Sequence, residues 1–239
     1  MSALQVLKEI CKNKKAHFFH SCSLVSVIER NIGINKNVYE IESSLFHFTN
    51  LSISLSGYFQ TKNISVVIFA LELLQGYKRI LKKTFFISKT HIIYGLNNVQ
   101  RLTGFEGRLQ IISRQPLIIC DVAHNPDAIA NLFFSVNKLL PKRGIIVFGV
   151  MKDKNSDAIL EVIKKTSFPI IAVQPAAERA LSSLGIVKKC HSMSISCIDG
   201  KDVQHGINFG LSRISQHEFL LICGSFFVLN ELANVRFLR

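Results

Sequence analysis

The stretch "LIICDVAHNPDAIANLFF" places three groups of different chemistry within five residues: the carboxylate of Asp121, the imidazole of His124 and the amide of Asn125. An apolar run ends at the aspartate and a new apolar pattern begins after Pro126. "LIIC" reads as a strand buried on both faces, so Asp121 falls at its carboxyl end, where open α/β sheets bind ligands. Asn125 suits a helix N-cap and Pro126 the first helical turn, where a missing N–H costs nothing. Asp127 would favour the positive end of the helix dipole. The pattern thus presents Asp121 and His124 beside free backbone N–H groups, a setting suited to an anionic ligand. The same residues would serve equally well as an ordinary helix start.

Two further corners share this design. After "GIIVFG" come Lys152, Asp153 and Lys154, in a loop that would lie at the same sheet edge. After "HEFLLIC", Gly224 permits a tight turn and Ser225 can cap the last helix, where a carboxylate or phosphate could sit. Taken alone, these read more readily as a solvated charged turn and a plain serine cap.

The elements that must position these corners follow from periodicity. From residue 107 onward the strands are "GRLQIIS", "PLIICD", "GIIVFGV", "FPIIAVQP", "SISCID" and "HEFLLICG". They alternate with the helices "PDAIANLFFSVNKLL", "SDAILEVIKKT" (capped by Ser156), "ERALSSLGI", "QHGINFGLSRIS" and "SFFVLNELANV". Such alternation predicts an α/β fold, a mainly parallel sheet with helices on both faces. Upstream, "SALQVLKEICKNK" has the spacing of a short amphipathic helix, followed by irregular polar sequence. "VYEIESSLFHFTNLSISLSG" alternates like antiparallel strands, and "TKNISVVIFALELLQGY" reads as a buried helix. "HIIYGLNNVQRLTGFEGR" reads as a linker, which places a boundary between residues 1–106 and 107–239.

Composition narrows the function classes. With 48% hydrophobic and 19% charged residues, the chain has the makings of a packed core. No apolar run approaches about 18 residues, so no membrane helix is expected. The six cysteines include no CxxC pair, which argues against a zinc or disulfide framework and for reduced thiols in a cytoplasm. The net charge of +13 would suit anionic ligands. No arginine-rich tract or aromatic platform accompanies it, so a nucleic-acid partner is not expected.

The segments "FEGRLQ", "CDVAHNPDA", "VFGVMKDKN" and "CGSFFVLNE" resemble, in order and spacing, the carboxy-terminal domain of folylpolyglutamate and dihydrofolate synthases, members of the Mur ligase superfamily. Upstream, "LSGYFQTKNISVVIFALELL" is similar to the family's G-x-H-Q-x-x-N segment. The resemblance implies a Rossmann-like carboxy-terminal domain preceded by an incomplete central ATPase domain. It implies ligation of L-glutamate to a folate or dihydropteroate carboxylate, activated by ATP and Mg2+ as an acyl phosphate. Carried over by motif, Asn63, Arg108 and Asp121 would contact ATP, and His124 and Ser225 would hold the incoming glutamate. Asp121 and His124 would be the catalytic pair, and Lys152, Asp153 and Lys154 would form a cleft loop. The resemblance assigns no metal ligand to this chain.

The departures are specific. Phe59 stands where the family usually has histidine, and Phe105–Glu106 where a Trp-Pro pair is common. No G-x-x-x-x-G-K-[ST] phosphate loop occurs in the 239 residues. The expectation is therefore a truncated or split ligase, inactive alone and partnered by a P-loop-bearing fragment. The alternative is a non-catalytic glutamate- or nucleotide-binding relic.

Overall fold

The computed structural model describes residues 3–34, 36–77 and 86–232. The chain begins with α1 (Ala3–Asn13), as its amphipathic spacing requires. Three strands follow: β1 (Ser26–Ile32), β2 (Asn37–Glu42) and β3 (His47–Ile53). They form an antiparallel sheet in the order β1-β2-β3. Period-two alternation buries Asn37, Tyr39 and Ile41 on one face of β2. α2 (Gln60–Tyr77) packs Ile64 and Ile68 onto that face, against Tyr39, Ile41, Phe48, Leu51 and Ile53.

Two expectations fail in this region. β1 lies in sequence read as irregular, because as an edge strand it leaves most of its side chains outside the core and shows no alternation. The expected linker contains α3 (Lys89–Asn97) and α4 (Val99–Thr103). Ser88 caps α3 reciprocally with His91, and Ile92 is buried in the sheet's core, which outweighs the helix penalty of Gly95. Gly104, at φ +64°, ends α4.

The second sheet has six strands: β4 (Gln110–Arg114), β5 (Leu117–Asp121), β6 (Gly144–Phe148), β7 (Ile170–Gln174), β8 (Cys197–Asp202) and β9 (Phe219–Cys223). Their order is β4-β5-β9-β6-β7-β8, and all neighbours are parallel except β4 and β5. α5 (Pro126–Leu139), α6 (Ser156–Lys164) and α7 (Ser183–Ser192) pack on one face through Ile129, Leu132, Val136, Ile159, Ile163 and Ile186. α8 (Val203–Leu211) and α9 (Phe226–Leu232) cover the other through Val203, Ile207, Val228 and Leu232. The mainly parallel α/β sheet with helices on both faces is thus present. The end of the last expected helix, residues 233–235, lies outside the described residues.

Two local readings are corrected here. Asn155, not Ser156, caps α6, accepting from the Ala158 N–H at 3.1 Å, while Ser156 is the buried first helical residue. "ERAL" is not helical. The Arg179 carbonyl accepts from the Lys152 N–H at 2.8 Å, and Ala180 bridges to Met151. That pairing delays α7 until after its cap, Ser182.

Candidate active site

Register brings the three corners together. Asp121 pairs with Cys223, and Cys223 with Phe148, so β5, β9 and β6 end side by side at one level. Their loops carry His124, Ser225 and Lys152–Lys154 to a single edge of the sheet. Gly224 makes the close approach possible. At φ +108°, a Cβ there would lie 2.4 Å from the Gly149 carbonyl oxygen.

The first corner follows its sequence signals. Asn125 Oδ1 accepts from the Ala128 N–H at 2.8 Å, and Pro126 opens α5. His124 is half-buried and its Nδ1–H donates to the Val122 carbonyl at 2.9 Å, which fixes the ring. That ring lies 6.4 Å from the ring of Phe226. Beside it, Ser225 is buried and its Oγ accepts from the Phe227 N–H at 3.1 Å.

Asp121 is 3% exposed. Its Oδ2 accepts from the Leu109 N–H and its Oδ1 from the Ala123 N–H, both at 2.8 Å. Burial pushes the carboxyl up from its ordinary 3.8 to about 6, against the pull of these two amides and of Arg108. The bond to Leu109 has a local purpose. Residues 107–109 form a tight loop with Gly107 at φ +76° and Leu109 at φ +45°, a conformation costly for leucine. Asp121 from one side, and the Val122 N–H donating to the Gly107 carbonyl from the other, hold that loop in place. The loop displays Arg108, whose guanidinium lies 5.3 Å from the centre of the Phe105 ring.

Arg108 points to a cavity of about 240 Å³ between the two sheets' layers. It is lined by Phe59, Lys62, Asn63, Arg108, Asp121, Ala123, Ala128 and Asn131. Asn63 and Lys62 come from the first turn of α2, and Ala128 and Asn131 from the start of α5. Two helix N-termini and two cations therefore converge on one space, an arrangement that favours a polyanion. Drug-sized ligands fill roughly 300–1,000 Å³, so this space matches a polyphosphate better than a whole nucleotide. The layers are joined next to it, where the Tyr58 N–H donates to Ser135 Oγ at 3.1 Å and Tyr58 meets Phe134 edge-on.

The structure thus gathers Asn63, Arg108 and Asp121 around one cavity, while His124 and Ser225 lie at the neighbouring strand ends and do not line it. Lys152 and Asp153 sit further along that edge. Lys152 Nζ donates to the Glu178 carbonyl at 3.3 Å, and Asp153 pairs with Lys154 at 3.0 Å. Sequence reasoning missed Lys62, Asn131 and Arg179. Arg179 reaches Asp153 at 4.0 Å and lies 5.4 Å from the Phe227 ring. Lys62 was readable, since it precedes Asn63 by one residue. Nothing in the sequence places Asn131 or Arg179. Among the described residues, no group of three or more His, Cys, Asp or Glu side chains is placed to hold a metal ion.

A family model, described as "Mur ligase, glutamate ligase domain", matches residues 107–226. The chain belongs to the Mur ligase family. Its relatives include the dihydrofolate synthase/folylpolyglutamate synthase of Buchnera aphidicola subsp. Acyrthosiphon pisum, 25% identical over 90% of this chain and 51% of that protein. The Escherichia coli protein of the same name is 31% identical over 54% of this chain and 30% of its own. Among solved structures, the fold matches Mycobacterium tuberculosis folylpolyglutamate synthase complexed with ADP and AMPPCP, at a TM-score of 0.81 and 18% identity. That match covers 99% of this chain and 53% of the other. The chain spans about half the length, or less, of the relatives it matches. No described helix is long and apolar enough to cross a membrane.

Proposed function

We propose that this chain is the glutamate-ligating part of an ATP-dependent folate ligase of the cytoplasm. Residues 107–239 would form the ligase domain and residues 1–106 a portion of the central ATPase domain. The cavity between α2 and α5 carries this reading, because its two helix N-termini, Lys62 and Arg108 form a seat for a nucleotide's phosphates.

In this reading Arg108, Lys62 and Asn63 hold the phosphates through charge-assisted and amide hydrogen bonds. Asp121 holds Arg108 in place, and also lies at the nucleotide. His124, with Nδ1–H committed to a carbonyl, has Nε2 as its remaining acceptor at this edge of the sheet. There, with Ser225, it orients L-glutamate so that its amine can attack the activated carboxylate of folate or dihydropteroate. Lys152 and Lys154 lend positive charge to the same cleft. ATP supplies the leaving phosphate. In this reading a magnesium ion and a phosphate loop would come from another segment, so ligation is expected only when a P-loop-bearing partner completes the enzyme.

Calorimetric titration of the chain with ADP and with inorganic tripolyphosphate tests the cavity. Arg108→Ala removes a charge-assisted contact of about 1.5–3 kcal/mol, and both affinities should fall about tenfold or more. Equal affinities in the parent and the variant would refute the assignment. Binding that persists without any product, once the phosphate loop is supplied, would leave a binding relic instead.

A further inference from the structure

The first layer carries two helices with faces that nothing in the described structure covers. α2 is apolar on all sides, the pattern of a helix enclosed on two faces rather than one. Its inner face is buried on the sheet, while Val66, Val67 and Leu74 stand 39–57% exposed on the outer face. α1 is amphipathic, yet none of its residues is buried, and Leu4, Leu7 and Ile10 all face solvent. Phe19, just beyond α1, rests on Phe69 of α2 at 5.3 Å between ring centres, which joins the two faces. Exposed apolar surface of this extent marks an interaction site.

The occupant follows from the length of the relatives. Nearly all of this chain aligns with about half of the Buchnera protein, and the structural match has the same proportions. The relatives therefore carry about as much chain again. Strand addition is a poorer way to dock that chain. β1, one of the sheet's two edges, is bulged between Glu29 and Asn31, and its Arg30 is paired with Glu40 of β2, features that discourage edge pairing there.

We propose that the outer faces of α1 and α2 form the docking surface for the complementary, phosphate-loop-bearing half of a ligase of this family. This rests on the ligase reading above and adds where the second half is received. The probe is a recombinant polypeptide spanning the part of the Buchnera protein outside the matched stretch. It is mixed with the full 239-residue chain and followed by light scattering and calorimetry.

A one-to-one complex is expected. Val67→Lys and Leu7→Lys should each weaken it at least tenfold, while Leu184→Lys, at a solvent-exposed position of α7 in the other layer, leaves it unchanged. Circular dichroism checks that the variants keep their helices. No complex, or one indifferent to both substitutions, would overturn the proposal. So would a homodimer of this chain broken by Val67→Lys, which would make a second copy the occupant. Binding to phosphatidylglycerol vesicles that is lost in Leu7→Lys but kept in Val67→Lys would overturn it too, by assigning α1 to a membrane surface. ADP titration of the unmixed chain reads the cavity alone, so failure of docking and failure of the ligase reading give different results.

Discussion

Replacing Asp121 with asparagine isolates the electrostatic cost of the site's buried carboxylate. The folded protein holds this group at about 6 rather than 3.8, with burial as the main cause. Between these two values the folded state binds the proton more tightly than the unfolded chain does. Its contribution is therefore fully present below pH 3.8 and is lost as pH rises through about 6. At 1.36 kcal/mol per pH unit the loss amounts to about 3 kcal/mol. Asparagine keeps the shape and cannot ionise, although its Nδ2 meets one of the two backbone N–H groups, of Leu109 and Ala123, that the carboxylate accepts. That mismatch costs about 1–3 kcal/mol but does not change with pH. Urea unfolding of parent and Asp121→Asn, at half-unit steps from pH 3.5 to 7.5, cancels every other titration common to both. The stability difference should move toward the variant by about 3 kcal/mol, with most of the change between pH 4 and 6. A difference that stays constant, or moves toward the parent as pH rises, would refute the reasoning.

Two backbone features give further expectations. Gly224→Ala forces a Cβ to within 2.4 Å of the Gly149 carbonyl at φ +108°, and thermal melts should show a loss of about 3 kcal/mol. Asn125→Ala and Asn155→Ala each remove an observed helix cap and should each cost about 1 kcal/mol in urea unfolding, with Ser156→Ala costing less than Asn155→Ala.

The corners themselves were legible because their determinants are local. A strand buried on both faces, an Asn-Pro helix start and a glycine turn each write their signal within a few neighbouring residues. Asp121, Asn125, Gly224 and the α5 cap were readable for that reason, as was the strand–helix alternation after residue 107. Where local signals were weak or overruled, the reading failed. β1 has no alternation to show, α3 forms in spite of Gly95 because Ile92 finds a core, and "ERAL" is drawn out of a helix by pairing with Met151 and Lys152.

What the sequence determined by itself was the set of chemical groups and the direction in which each strand end presents them. Tertiary structure decided which groups share a space. The order β5-β9-β6, which sets Cys223 between Asp121 and Phe148, is a contact between residues far apart in the chain. So is the meeting of Asn63 and Lys62 with Arg108, Asp121 and Asn131, which no periodicity encodes. Only the fold shows both oxygens of Asp121 engaged by backbone amides, because the partner loop at Leu109 reaches it through an antiparallel turn rather than along its own strand. Capping and periodicity act over one or two helical turns, whereas a site assembled from two layers depends on which buried faces fit each other.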